Sequence, residues 1–233
     1  MENGQFKVDK KSAIILGATG LTGGFLLQRL LDDDRYEKIK IFSRTEIGFS
    51  HPKLEEHIGD LLKLESFKSH FLADEVYCCI GTTKAKTPDN AKYKSIDFGI
   101  PVWAAKICQF NGIKTFLVIS AMGANANSGV TYNRLKGEME EAVLNCKIPK
   151  THILQPSLIG GKREEKRMGE WIAKQFMKLF NFLLVGPLEK FRSIHPEVIA
   201  GAMVWLANNN YKKARIQSHE IKNIYHKLSI KAR

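Results

Sequence analysis

Short apolar runs alternate along this chain with longer stretches whose apolar residues recur every three or four positions. Residues 13–16, Ala-Ile-Ile-Leu, are apolar without interruption, as in a strand buried on both faces of a parallel sheet. Residues 21–31 then place Leu21, Phe25, Leu26, Leu30 and Leu31 where one helical face can hold them. The same alternation predicts strands at 38–42, 56–58, 75–80, 114–119 and 151–154. It predicts helices at 64–71, 91–111, 131–145, 168–180 and 196–207, and a terminal helix or strand at 218–227. Strand following helix following strand implies an α/β fold with a doubly wound parallel sheet. One domain is expected over 1–233, with 162–233 as a small helical region on the substrate side.

The turn after the first strand sharpens this picture. Gly17, Gly20 and Gly23 follow it in the pattern GxxGxxG and open the first predicted helix. Glycines there let the backbone approach a pyrophosphate, and the helix N-terminus adds free N–H donors and partial positive charge. A buried strand, a glycine turn and a helix in this order predict an NAD(P)-binding Rossmann fold. At the end of the second strand stand Ser43 and Arg44, with no acid until Glu46. An acid at that place would bind the ribose 2′-hydroxyl, whereas a guanidinium suits a 2′-phosphate, so the expected cofactor is NADP(H). Asp60, followed by Leu61, ends the third strand and serves either the adenine end of a cofactor or the N-cap of the next helix. Gly81, Thr82 and Thr83 end the fourth strand, where small and hydroxyl residues suit close backbone approach to the middle of the cofactor.

Candidate chemistry follows the fifth strand. Ser120 stands at its C-terminal end, and Tyr132 and Lys136 lie four apart on the next helix, hence on one face. A lysine near a tyrosine stabilises the phenolate and lowers its pKa. Tyr132 is then a usable proton donor or acceptor, with Ser120 able to bind a substrate oxygen beside it. That set suits carbonyl reduction or alcohol oxidation by a nicotinamide. Spacing alone proves little, since Tyr36 and Lys40 also fit YxxxK. The order of glycine turn, serine and Tyr–Lys pair distinguishes Tyr132 and Lys136.

Taken together, GxxGxxG, the serine and YxxxK resemble the short-chain dehydrogenase/reductase superfamily, and more closely its atypical branch of Tat-interacting oxidoreductases. The likeness runs from Ile14 to about Trp205. It rests on Gly17-Ala18-Thr19-Gly20, Ser43-Arg44, Cys78-Cys79-Ile80-Gly81-Thr82-Thr83, Tyr132 to Glu138, Gln155-Pro156 and Gly169-Glu170-Trp171. The resemblance implies that Gly17, Thr19, Gly20, Leu21 and Thr22 contact the pyrophosphate and that Ser43 and Arg44 meet the 2′-phosphate. It implies that Lys136 meets the nicotinamide ribose and that main-chain groups from Pro156 to Leu158 meet the carboxamide. Gln155 stands where the family commonly has arginine, which removes any role for an arginine side chain there. Some relatives in this branch are cofactor-bound regulators, so the alternative to an NADP-dependent oxidoreductase is an NADPH-binding regulatory or redox-sensing protein with little turnover. A nucleotide-sugar epimerase, which usually carries a larger C-terminal part, is disfavoured.

Composition adds limits. The chain has 233 residues and a net charge of +12, but its basic residues are interspersed with acids, as in 162–167. No nucleic-acid partner is expected, and the excess charge suits anionic ligands. The expected partners are a small carbonyl or alcohol substrate, with a protein partner as the further candidate, and the chain is expected as a monomer or homodimer. Cys78, Cys79, Cys108 and Cys146 show no metal-ligand spacing, and reduced thiols are expected. Cys78 and Cys79 should point to opposite sheet faces. The first dozen residues lack the apolar centre of a signal peptide, and residues 176–185 are too short and too interrupted to span a bilayer. These features predict a soluble cytoplasmic protein, away from membranes.

Overall fold

A computed structural model describes residues 10–160 and 193–231. Seven strands form one parallel sheet: β1 Lys11–Leu16, β2 Tyr36–Ser43, β3 Leu54–Ile58, β4 Glu75–Cys78, β5 Thr115–Ile119, β6 Lys150–Gln155 and β7 Arg215–Gln217. Their order is β3-β2-β1-β4-β5-β6-β7, and each neighbouring pair is parallel. The helices are α1 Leu21–Leu31, α2 Asn90–Lys94, α3 Ile100–Phe110, α4 Thr131–Asn145, α5 Pro196–Asn208 and α6 Ser218–Lys231. A 3-10 segment spans Leu61–Phe67, and a π-turn, Ser95–Gly99, joins α2 to α3.

Side-chain alternation along β1 divides the core. Ala13 and Ile15 pack with α1, α5 and α6, whereas Ile14 and Leu16 pack with α3, α4 and the 3-10 segment. Burial on both faces is why 13–16 is apolar throughout. Cys78 belongs to the second cluster and Cys79 packs against the first, so the two thiols do take opposite faces. The order of strands reverses between β1 and β4, and the crevice beyond their C-terminal ends is the switch point where such sheets bind ligands.

Several elements depart from the sequence pattern. β4 stops at Cys78, two residues early, because the chain turns away to shape the loop that follows. The helix expected at 64–71 is a 3-10 segment that begins at Leu61, with Asp60 as its N-cap accepting from the Leu62 N–H at 3.0 Å. β7 was not expected. It is three residues long, and only Ile216 is buried. The terminal segment at 218–227 resolves as helix. The helix expected at 168–180, with Gly169-Glu170-Trp171, lies outside the described residues.

One core residue has a pH consequence. His152 on β6 is buried, and its Nδ1 lies 2.9 Å from the Lys213 carbonyl oxygen. A carbonyl only accepts, so Nδ1 carries the proton and Nε2 is left buried with no partner among the described residues. Burial pushes this imidazole below its ordinary value of 6.5. A histidine depressed in the folded state binds its proton more tightly when unfolded. Its neutral-state stability is therefore whole above pH 6.5 and is lost as the pH falls below it. Denaturant titrations from pH 7 to 5 should show a stability slope up to about 1.4 kcal/mol per pH unit steeper in the wild type than in His152→Gln. Equal slopes would show that the ring titrates freely.

Candidate functional site

Beyond β1 the chain makes a tight turn that only glycine accommodates. Gly17 has φ +86°, and a Cβ there would sit 3.0 Å from the Cys79 carbonyl carbon and oxygen. The Gly20 N–H donates to the Gly17 carbonyl at 3.0 Å, closing the turn. Gly20 is the N-cap of α1, and among the described residues no side chain caps the first N–H groups of the helix. A Cβ on Gly23 would lie 2.0 Å from the Gly17 carbonyl oxygen, so this third glycine lets α1 sit against the turn.

The turn opens on a cleft of about 1100 Å³, slightly larger than the ~300–1,000 Å³ usual for ligand sites. Of the residues expected to bind a cofactor, Gly17, Thr19, Gly20, Leu21, Arg44, Asp60, Leu61, Gly81, Thr82 and Thr83 line it. Asp60 takes the expected N-cap place and also lines the cleft. Thr22, Gly23 and Ser43 do not line it. Thr22 is buried in α1, and the buried Ser43 hydroxyl donates to the Thr45 carbonyl at 2.6 Å. Cys79, Lys86 and Lys92 also line the cleft. Among the described residues the lining carries three cations, Arg44, Lys86 and Lys92, against one acid, Asp60, a balance that favours an anionic ligand. The lysines were legible only as part of a polar loop and helix start.

Ser120, Tyr132, Lys136, Pro156 and Leu158 lie at the C-terminal ends of β5 and β6 and on α4, outside the cleft lining. Ser120 is buried, and its hydroxyl donates to Glu140 Oε1 at 2.6 Å. Gln155 Nε2 and Arg215 Nε also donate to that carboxylate, from β6 and β7. The Ser120 proton can reach a substrate oxygen only by leaving Glu140. Pro156 is buried, its carbonyl accepting from the Met122 N–H, and Leu158 is largely exposed.

Lys136 is 3% exposed, with its ammonium 2.9 Å from Asp97 Oδ1. Tyr132 is 42% exposed. Desolvation raises its phenol above the ordinary value of 10, Lys136 pulls it down, and Asp97 pushes it up. The lysine therefore acts in the expected direction, but the net shift is upward, because burial and Asp97 outweigh it. Asp97 escaped the sequence reading. Its one signal is an acid between Ile96 and Phe98 on a buried helical stretch.

This site lies at the switch point of a Rossmann-like parallel sheet. No protein-family model matches the chain. Protein HTATIP2 of Rattus norvegicus is 30% identical over 175 residues, covering 73% of this chain and 72% of that protein. Protein FMP52-1, mitochondrial, of Scheffersomyces stipitis is 32% identical over 163 residues, covering 67% and 70%. The chain belongs to the family of HTATIP2 and FMP52. Among solved structures, a UDP-N-acetylglucosamine 4-epimerase from Methanobrevibacter ruminantium superposes with TM-score 0.66 at 15% identity, over 95% of this chain and 82% of that one. Bordetella bronchiseptica WbmG, solved with NAD, gives TM-score 0.56 at 16% identity and covers 76% of this chain. The chain spans about three fifths of WbmG, 62% of its length. At such identities the likeness is one of fold.

One expectation is corrected by these relatives. FMP52 proteins of several yeasts, at 28–33% identity, are named as mitochondrial, which overturns the cytoplasmic placement. That placement rested on a missing apolar signal core, a feature that mitochondrial targeting does not use. Among the described residues, no helix is long and apolar enough to cross a membrane.

Proposed function

We propose that this protein binds NADP(H) in the 1100 Å³ cleft and works as an oxidoreductase on a carbonyl or alcohol substrate. The observation that carries the reading is the turn at Gly17: an uncapped helix N-terminus opens on a cationic cleft that includes Arg44. The residues fit the coenzyme. The first N–H groups of α1 would hold the diphosphate, Arg44 the 2′-phosphate, and Asp60 and Leu61 would flank the adenosine. Residues 81–83 would lie along its middle, with Lys136 toward the nicotinamide ribose and main chain at 156–158 toward the carboxamide. Bound there, NADP(H) supplies or accepts the hydride. Tyr132 gives or takes the proton at its phenol oxygen, and the Lys136 ammonium favours the phenolate that results.

A second reading has its own support. With Ser120 donating to Glu140 and Lys136 bonded to Asp97, two of the three groups needed for turnover are engaged elsewhere. That arrangement suits a protein whose bound NADPH regulates a protein partner. NADPH consumption against aldehydes, ketones and quinones separates the two, with Tyr132→Phe as control. The enzyme reading expects consumption that falls at least about 100-fold in the variant. Tight NADPH binding without consumption selects the regulator, and absence of NADPH binding removes both.

A further inference from the structure

Glu140 lies one turn beyond Lys136 on α4 and is 1% exposed. A carboxylate at that depth is costly unless its charge is compensated. Three strands send donors to it. The Ser120 hydroxyl, just after β5, donates to Oε1 at 2.6 Å. Gln155 Nε2, at the end of β6, donates to Oε1 at 2.9 Å and to Oε2 at 3.1 Å. Arg215 Nε, on β7, donates to Oε2 at 2.7 Å. Serine and glutamine are neutral, and Lys136 is bonded to Asp97 instead. Among the described residues, Arg215 is therefore the cation paired with Glu140. The short strand β7 brings it there: parallel pairing with β6 sets Arg215 opposite Ile153, two residues before Gln155. The arginine side chain is 44% exposed and reaches inward from the sheet edge to a carboxylate that is wholly inside.

We propose that Arg215 is a positioning residue for Ser120: its guanidinium compensates the buried Glu140 charge, and the carboxylate so held fixes the direction of the Ser120 hydroxyl. With its proton directed at Glu140, Ser120 offers a ligand an acceptor and not a donor. The proposal rests on Ser120 belonging to the reacting site, but its test needs no cofactor and no turnover. The charged groups at Glu140 are Arg215 from β7 and, one turn away on its own helix, Lys136, while β5 and β6 contribute the neutral Ser120 and Gln155. Taking the Arg215 charge away leaves the anion inside the core with neutral donors alone.

The test is thermal unfolding of cofactor-free protein between about pH 4 and pH 8. In Arg215→Gln the buried carboxyl favours its proton in the folded state. Such a group stabilises the fold most in acid and loses that contribution as the pH rises. The melting temperature of Arg215→Gln should therefore drop further below wild type as the pH rises, by several degrees at neutral pH, whereas lost packing alone gives a constant gap. In a Glu140→Gln background the same substitution should add no pH dependence. Gln155→Arg puts a guanidinium on a side chain already bonded to both carboxylate oxygens, and it should restore Arg215→Gln to near wild type. Ser120→Ala should cost fewer degrees in Arg215→Gln than in wild type, because hydrogen bonds to an ionised acceptor are roughly twice as strong as neutral ones. A constant gap, pH dependence that survives in Glu140→Gln, no rescue by Gln155→Arg, or equal Ser120→Ala losses overturns the proposal. Should Arg215→Gln not fold, the protein carrying both Gln155→Arg and Arg215→Gln decides: recovered folding supports the proposal and continued failure overturns it. None of these results depends on NADPH binding, so a failure here is distinct from a failure of the cofactor reading.

Discussion

Gly23→Ala is expected to destabilise the protein and to abolish NADP(H) binding in one step. Two effects compete at this position. In an ordinary helix, alanine in place of glycine gains about 1 kcal/mol of propensity. Here the added Cβ would lie 2.0 Å from the Gly17 carbonyl oxygen and 2.7 Å from its carbon. Both are backbone atoms of a turn that Gly20 closes by hydrogen bonding, so no side-chain rotation can relieve the clash. The helix must move off the turn, and overpacking of this kind costs ~1–3 kcal/mol or more. The steric cost wins, and the melting temperature should fall by several degrees, at about 2–4 °C per kcal/mol for a chain of this size. Binding should suffer more. Gly23 does not line the cleft, yet it sets where the N–H groups of Leu21 and its neighbours stand. Losing two charge-assisted hydrogen bonds at ~1.5–3 kcal/mol each weakens NADPH at least ~100-fold. Gly24→Ala is the control, because its Cβ would meet only the Ala18 carbonyl oxygen, at an ordinary 3.6 Å. It should leave stability close to wild type, and because Gly24 itself lines the cleft the comparison is one of stability. Identical behaviour of the two variants would remove close packing as the reason for the third glycine.

How far such features could be read from sequence depends on their range. Helices α1 and α4 have the expected bounds, Leu21–Leu31 and Thr131–Asn145, because their apolar spacing and flanking turns are local. The doubly wound sheet was legible for the same reason, since 13–16 and 115–119 are apolar at every position but one. β7 was not legible, because Arg215 and Gln217 are polar and largely exposed and only Ile216 signals a strand. The candidate site was legible where backbone makes it and less so where side chains do. Gly17 reaches the cleft from a turn that its residue type dictates, and Arg44 reaches it from the end of β2. Ser120 is the instructive departure. Its place after β5 was right, but Phe116 and Val118 belong to the core under α3 and α4, and Ser120 continues their parity toward Glu140. Asp97 is harder still. A π-turn shifts helical phase by one residue, so an acid that helical spacing would place among apolar neighbours instead meets Lys136 and the Thr82 N–H.

Arg44→Ala should weaken NADPH by about 10- to 100-fold and leave NADH nearly unchanged, and dissociation constants for the two coenzymes check this. A guanidinium–phosphate pair with charge-assisted hydrogen bonds is worth ~1.5–3 kcal/mol. Arg44 follows β2 directly, is exposed, and lines the cleft on the side where a ribose 2′ position falls. The nearest acid in sequence does not compete for that place. Glu46 lines a neighbouring hollow of about 320 Å³ with Ala18, Leu27, Ile47 and Phe49. Lys86 and Lys92 share the cleft and attract any phosphate, but the diphosphate is common to both coenzymes. Loss of either lysine should therefore weaken NADPH and NADH alike, and only Arg44 should separate them. Because Arg44 is exposed, its share should shrink as salt is raised through the physiological range. Arg44→Asp should go further and invert the preference, since a carboxylate there repels a 2′-phosphate and accepts from a 2′-hydroxyl. Wild-type protein that binds NADH as tightly as NADPH, or an Arg44→Ala that weakens both equally, would take the 2′-phosphate away from this residue.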